Sequence, residues 1–271
     1  MSDIDSIKEI RKSILEMVHR AKVSHIGAAF SIIEIMYVLY KDILNLSPIT
    51  VKDENRDRFI LSKGHASAGL YGVLAHFGYF DKKLLDGYCM NEGTLPGHLD
   101  YTCAPGVEVS AGSLGHGFPL ALGMALAAKR QGKSYKTYAI VGDGECNEGS
   151  VWETAMLAAS LKLDNFTVIV DFNKIQSFGN TNDIIDQTNL AQRWEVFGWK
   201  TIELNDGHNL DALRGAFNAS FDGKPKAIIA HTVKGNGVSY MENQLAWHYK
   251  SPSDEQLDEA LKELGLGELA S

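Results

Sequence analysis

An aspartate and an asparagine thirty positions apart could together bind a metal ion. Asp143 lies in the turn Gly142-Asp143-Gly144, and Asn173 follows a second apolar segment. No local turn closes such a separation, but a βαβ unit does, because its parallel strands end at the same edge of the sheet. A carboxylate and an amide oxygen are ligands that Mg²⁺ prefers, and Mg²⁺ completes its shell with water and phosphate oxygens.

The segments around these two residues have the pattern of a βαβ unit. Residues 135–141 are rich in β-forming side chains and end at the Gly-Asp-Gly turn. Residues 152–163 place Ala, Met and Leu on one helical stripe, and residues 166–170 are continuously apolar, as in a strand covered on both faces. We therefore predict that Asp143 and Asn173 converge at the ends of neighbouring strands.

The Gly-Asp-Gly turn also suits a diphosphate. Gly144 has no side chain where a phosphate would approach the backbone, and the helix that follows offers free N–H groups. The alternation of Asp143, Glu145 and Asn147 also suggests a calcium loop. An EF-hand needs glycine at its sixth position, where this chain has Glu148, so a Mg²⁺–diphosphate site is favoured.

Further sequence blocks accompany the Gly-Asp-Gly turn and the segment Asp171-Phe172-Asn173-Lys174-Ile175. They are Ser24-His25-Ile26-Gly27, Ser62-Lys63-Gly64-His65-Ala66, Pro96-Gly97-His98, Gly112-Ser113-Leu114-Gly115-His116-Gly117, Lys234-Gly235 and Trp247-His248. The residues of these blocks, and the order of the blocks along the chain, resemble those of transketolase, a thiamine-diphosphate enzyme. The resemblance covers nearly the whole chain.

The resemblance implies an α/β fold of the thiamine-diphosphate-binding type, with a mostly parallel sheet and helices on both faces. It implies thiamine diphosphate and Mg²⁺ as cofactors, with Asp143, Asn173 and the backbone carbonyl of Ile175 as metal ligands. The residues that it assigns to the cofactor are His65, Gly112, Ser113, Leu114, Gly142, Gly144, Glu145, Asn173 and His248.

Four residues are implied in catalysis by the same resemblance. His25 and His98 are expected to bind the hydroxyl and carbonyl oxygens of the donor sugar, and His248 to contact the diphosphate. Glu148 matches a carboxylate at a subunit interface, where it would join a proton-sharing network. His116 is left open between a place near the cofactor and a structural role.

Several other polar residues are expected to be structural or exposed. The histidines assigned to structural roles are His19, His76, His208 and His231. The basic residues Arg56, Arg58 and Lys63 are interpreted as a solvated face rather than as ligands of a sugar phosphate.

The expected domain organisation is a single diphosphate-binding domain over residues 1–271. Transketolases normally carry a pyrimidine-binding and a C-terminal domain as well, whereas the matching blocks here end near His248 and one helix follows. The missing domains are expected on a partner chain, a C-terminal transketolase subunit that supplies the activating glutamate in an α2β2 heterotetramer. A fragment of a longer enzyme would have the same sequence.

The implied activity is transfer of a two-carbon ketol unit from a ketose phosphate to an aldose phosphate, as in the pentose phosphate pathway. One alternative is the α-subunit of a 2-oxo acid dehydrogenase, which shares the Gly-Asp-Gly site. Another is a stand-alone cofactor-binding regulatory module. The chain departs from the family at Ile26, Leu99 and Ser177, around the substrate channel and cofactor, which leaves the preferred sugar open.

Composition excludes several functional classes. The net charge of −8 gives no basic surface for nucleic acid or an anionic membrane. No run of 18 apolar residues and no signal-peptide core is present. The three cysteines have no metal-ligand spacing and are expected to be reduced thiols of a cytoplasmic protein.

Hydrophobic periodicity predicts the remaining elements. Helices are expected over 4–21, 31–44, 66–77 and 114–130, and strands over 58–62 and 227–231. A last helix is expected after Ser253, which opens a capping box.

Overall fold

Five parallel strands form the central sheet of the computed structural model, which describes residues 1–267. They are β1 (Arg58–Leu61), β2 (Thr137–Gly142), β3 (Phe166–Phe172), β6 (Lys200–Leu204) and β7 (Lys226–His231), and their order across the sheet is β1-β2-β3-β7-β6. Two short strands, β4 (Ile175–Gln176) and β5 (Gly179–Asn180), form an antiparallel hairpin beside it. The predicted α/β fold with a mostly parallel sheet is confirmed.

Helices cover this sheet. The α-helices of the described residues are α1 (Asp3–Ala21), α2 (Ile26–Phe30), α3 (Ile33–Val38), α4 (Ser67–His76), α5 (Gly117–Arg130), α6 (Gly149–Ser160), α7 (Thr181–Ile184), α8 (Leu190–Val196), α9 (Leu210–Asn218) and α10 (Asp254–Glu263). Helix α5 packs against β1 and β2, while α8 and α9 pack against β6. None of the helices in residues 1–267 is long and apolar enough to cross a membrane.

The predicted βαβ unit is present as β2, α6 and β3. The two strands pair in parallel, and their register places Gly142 opposite Asp171. Every residue of β3 is buried, as the continuous apolar run predicts for a strand covered on both faces. The carboxyl ends of β2 and β3 therefore lie side by side.

The predicted helix over 31–44 is wrong in its start and in its continuity. The chain is already helical at 26, helix α2 ends at Phe30, and α3 begins at Ile33. Residues Leu39–Ile43 then form a π-helical turn. Periodicity could not locate these breaks, because residues 31–40 are buried on every side and show no polar face. The capping box predicted at Ser253 is present at the start of α10.

A buried ionic network fixes the loop that follows β7. Glu34 of α3 accepts hydrogen bonds from Arg11 Nη2 at 2.8 Å, and His208 Nδ1 lies 3.0 Å from its other oxygen. Arg11 Nε donates to the carbonyl of Asn236 at 2.9 Å, and the Val233 N–H donates to His208 Nε2 at 2.8 Å. Helices α1 and α3 thereby hold both sides of the segment 233–236.

Acid is expected to weaken this network. Burial alone would raise the pKa of Glu34, but Arg11 and His208 lower it from 4.5 to about 2. The stabilisation by ionised Glu34 is therefore complete above about pH 4.5, the ordinary pKa of glutamate, and is lost as pH falls through about 2. Its contribution to the free energy of unfolding is roughly 3 kcal/mol. We expect Glu34→Gln to be less stable than the wild type at pH 7 and the difference to be smaller at pH 3, in urea unfolding at both values.

The matched control is Asp164→Asn, which removes an exposed ion pair with Lys129 and should change stability by less than about 1 kcal/mol. A Glu34→Gln protein with the same pH dependence of unfolding as the wild type would contradict the assignment.

Candidate active site

One cavity lies at the carboxyl ends of the parallel strands, where open α/β sheets bind ligands. Its lining contains most of the residues that the sequence singles out. They are His25, His65, His98, Gly112, Leu114, Gly142, Asp143, Gly144, Glu145, Asn173, Ile175 and His248. Their segments come from the ends of β1, β2 and β3, from the β4 hairpin and from loops distant in sequence. The predicted meeting of Asp143 and Asn173 is confirmed.

Asp143 is anchored by groups on both sides of it. Its Oδ1 accepts a hydrogen bond from the Gly144 N–H at 2.7 Å. Its Oδ2 accepts from the Lys174 N–H at 2.6 Å and from Thr181 Oγ1 at 3.1 Å. Burial, with a further contribution from the neighbouring charge of Asp171, raises the pKa of Asp143 to about 6. A carboxylate in this environment would be stabilised by a bound cation.

Asn173 and Ile175 add two neutral oxygens to the same cavity. Asn173 Oδ1 accepts from the Ile175 N–H at 3.1 Å, and the Ile175 carbonyl accepts from Lys234 Nζ at 2.8 Å. Over residues 1–267, no three His, Cys, Asp or Glu side chains come together as a metal cluster. Any metal site here therefore combines the carboxylate of Asp143 with amide and backbone oxygens, a set that suits Mg²⁺.

Glu145 connects three of the segments that build the cavity. One carboxylate oxygen accepts from the Gly115 N–H at 2.8 Å and from the Ser62 hydroxyl, and the other accepts from the Gly142 N–H at 3.2 Å. Ser62 Oγ also accepts from the Phe118 N–H at 2.9 Å, at the start of α5. The carboxylate of Glu145 thus ties the glycine-rich turn to the ends of β1 and β2.

Four imidazoles cluster on one side of the cavity. The ring centroid of His25 lies 5.3 Å from that of His65, 5.7 Å from that of His98 and 4.9 Å from that of His248. Burial, together with nearby positive groups, lowers the pKa of His25 to about 4 and that of His65 well below its usual value. Both rings are neutral at pH 7, so each can donate one hydrogen bond and accept another.

The tautomer of His248 follows from its partner. Lys234 Nζ lies 3.1 Å from His248 Nδ1. An ammonium group can only donate, so Nδ1 accepts and the proton of the neutral ring resides on Nε2. Burial and the charge of Lys234 lower the pKa of His248 to about 3. His248 therefore has an N–H group available as a hydrogen-bond donor.

The sequence interpretation did not place two buried lysines in the cavity. Lys63 and Lys234 are each 1% exposed, and both line the cavity. The interpretation of Lys63 as part of a solvated face is wrong, because its ammonium pairs with the buried carboxylate of Asp171. Each lysine follows a strand end, β1 or β7. The strand-end rule that located Asp143 could have located both.

Two predicted site residues do not line the cavity. Ser113 is exposed, although Gly112 and Leu114 beside it are lining residues. Glu148 is also exposed, at the start of α6. His116 is exposed as well, with its Nδ1 3.0 Å from the Leu114 carbonyl oxygen.

Comparisons with known proteins identify the family of this chain. The family model described as "Transketolase, thiamine diphosphate binding domain" matches residues 2–270. The chain is 40% identical to one subunit of the apulose-4-phosphate transketolase of Phocaeicola vulgatus, over 94% of this chain and 90% of that protein. It is 38% identical to the 6-deoxy-6-sulfo-D-fructose transketolase subunit SqwG of a Clostridium species, over 94% and 93% of the two chains.

Solved structures of transketolases share the same fold. A transketolase variant from Pichia stipitis superposes with a TM-score of 0.93 at 28% identity, and the match covers 98% of this chain and 41% of that one. The transketolase of Leishmania mexicana gives a TM-score of 0.91 at 29% identity, over 98% and 42% of the two chains. The chain thus spans about two fifths of these transketolases, and it belongs to the transketolase family as a thiamine diphosphate-binding domain.

Proposed function

We propose that this chain is the N-terminal subunit of a two-chain transketolase, which transfers a two-carbon ketol unit from a ketose phosphate to an aldose phosphate. The observation that carries the proposal is the meeting of Asp143, Asn173 and the Ile175 carbonyl with four imidazoles in one cavity. Matches over nearly the full length of relatives that are themselves named as transketolase subunits support the two-chain form.

The residues present fit the diphosphate end of thiamine diphosphate with Mg²⁺. Asp143, Asn173 and the Ile175 carbonyl would hold the metal. A Cβ atom at Gly144 would lie 2.9 Å from Gln176 Cβ, so glycine at this position lets the cavity residue Gln176 pack close to the turn. His65, Gly112, Leu114 and the His248 N–H would bind the cofactor. The bound cofactor would supply the carbanion chemistry of ketol transfer.

The chain's own residues would position the sugar and exclude water. Neutral His25 can donate to or accept from a sugar hydroxyl, and His98 lies beside it. Because the pKa of His25 is far below 7, its ring is a weak base, so we assign it to binding and orientation rather than to proton abstraction.

A partner chain completes the proposed enzyme. Helices α5 and α6 pack on each other and carry exposed apolar side chains, with Leu120 49% and Met156 52% exposed, and the exposed Glu148 stands at the start of α6. Exposed apolar patches mark surfaces that other chains cover. This supports contact with another chain at this surface. In the proposed α2β2 assembly, a C-terminal subunit supplies the activating glutamate and Glu148 lies at an interface.

Mixing this chain with the protein encoded by a neighbouring gene, as the candidate C-terminal subunit, tests the proposal. With thiamine diphosphate and Mg²⁺, we expect ketol transfer from one or more of a panel of ketose phosphates by the mixture, and none by either chain alone. Native mass measurement should give two copies of each chain.

Other outcomes would favour the alternatives. Decarboxylation of a 2-oxo acid by the mixture would indicate the α-subunit of a dehydrogenase. Cofactor binding without turnover of either substrate class would indicate a regulatory module. One relative is named for apulose-4-phosphate, so this sugar belongs in the panel beside those of the pentose phosphate pathway.

A further inference from the structure

Asp171 is a fully buried carboxylate behind the proposed metal site. It lies in β3, two residues before Asn173, and receives donors from four separate segments. These donors are Ser31 Oγ at 2.7 Å, Asn173 Nδ2 at 2.7 Å, Thr232 Oγ1 and Lys63 Nζ. No direct ligand role is open to it, since its two oxygens are occupied by these donors.

The hydrogen bonds around Asp171 decide which way the Asn173 amide faces. Asp171 Oδ2 pairs with the Lys63 ammonium, which can only donate, and accepts a hydrogen bond from the Ser31 hydroxyl at 2.7 Å. An oxygen that faces an ammonium group acts as an acceptor, and Asn173 Nδ2 lies 2.7 Å from that same oxygen. Only the NH₂ end of the Asn173 amide can face it, which turns the carbonyl end, Oδ1, the other way.

That orientation has a chemical consequence at the cavity. An amide oxygen can ligate Mg²⁺, whereas an amide NH₂ cannot. The two ends of an asparagine amide have nearly the same shape, so hydrogen bonding rather than packing selects between them. The hydrogen bond from Asn173 Nδ2 to Asp171 selects the orientation of the amide. The Ile175 N–H donates to Asn173 Oδ1 and favours the same orientation.

We propose that Asp171 is a positioning residue, which fixes the Asn173 amide so that its Oδ1 is presented to the metal. Groups that orient the ligands of a metal typically change its affinity by about 10–100-fold when they are removed. The inference rests on the proposed function, because it concerns the metal site that the function requires.

The test measures metal affinity in the assembled two-chain enzyme with saturating thiamine diphosphate. Free Mn²⁺, a substitute for Mg²⁺, is followed by electron paramagnetic resonance. Asp171→Ala should raise the Kd for Mn²⁺ by roughly 10–100-fold. Asp171→Asn keeps an acceptor oxygen that can face Asn173, so its Kd should stay close to the wild-type value.

A second background separates positioning from general damage. In Asn173→Asp the residue at 173 has two equivalent oxygens and no NH₂ group, so there is no orientation left to fix. Adding Asp171→Ala to this background should therefore not weaken Mn²⁺ binding. A role in stability alone would weaken binding in both backgrounds.

Thr232→Val is the matched control, because it removes a donor to the other oxygen of Asp171 and leaves Asn173 in contact. Asp171→Ala leaves the ammonium of Lys63 buried without its partner and could prevent folding. In that case the double variant Asp171→Ala/Lys63→Met is used instead, and its Kd for Mn²⁺ is compared with that of Lys63→Met.

Equal Mn²⁺ affinity in the wild type and Asp171→Ala would overturn the inference, as would equal losses in Asp171→Ala and Asp171→Asn. Failure of the wild-type enzyme to bind Mn²⁺ with the cofactor would instead overturn the proposed function.

Discussion

Replacing Asp143 by alanine is expected to abolish Mg²⁺-dependent binding of thiamine diphosphate by the assembled enzyme. Asp143 is the one carboxylate in the proposed ligand set, and its charge is buried, where a cation would be its main compensation. Loss of a charged ligand at such a site costs several kcal/mol, which is roughly three powers of ten in the dissociation constant. Calorimetric titration with the cofactor, with and without Mg²⁺, measures this loss.

The variant must be separated from a simple loss of structure. Asp143 also accepts hydrogen bonds from Gly144, Lys174 and Thr181, so removing it leaves three donors without their acceptor. Thr181→Val removes one of these bonds without removing a ligand, so it should lower the unfolding temperature and reduce cofactor affinity far less than Asp143→Ala does. A folded Asp143→Ala protein that binds the cofactor as the wild type does would show that the metal assignment is wrong.

The strand ends of this site were predictable from the sequence, because they depend on local signals. The apolar run of 166–170 indicates one strand, and the Gly-Asp-Gly turn marks the end of the strand before it. Together they place Asp143 and Asn173 at one edge of a parallel sheet. The structure extends β3 to Phe172, only two residues beyond the prediction.

The buried lysines were harder to predict, because their partners are distant in the chain. Lys63 is buried only because Asp171 lies opposite its ammonium group, across 108 positions of sequence. A lysine without such a partner belongs on the surface, and the solvated interpretation follows that rule. Strand β6 was missed for a related reason: it is only partly buried and lies at an edge of the sheet, so its apolar pattern is weak.

Replacing Gly64 by alanine is expected to damage both stability and cofactor binding. A Cβ atom at this position would lie 2.0 Å from the Ala111 carbonyl oxygen and 2.4 Å from its carbon, so backbone would have to move. Ala111 pairs with Leu99 in an isolated bridge, beside Gly112 and His98 of the cavity. We expect a loss of about 3 kcal/mol or more, as for severe overpacking, measured by urea unfolding.

The same displacement should weaken cofactor binding in whatever fraction remains folded, because Gly64 stands between Lys63 and His65, which both line the cavity. Gly215→Ala is the matched control. Gly215 lies in α9, where an added Cβ meets nothing within 4 Å, and alanine there should stabilise the protein by roughly 0.5–1 kcal/mol. Equal stability of the two variants would show that the close approach of Gly64 to Ala111 does not constrain the fold. Normal cofactor affinity in a destabilised Gly64→Ala protein would show that this contact supports the fold without shaping the site.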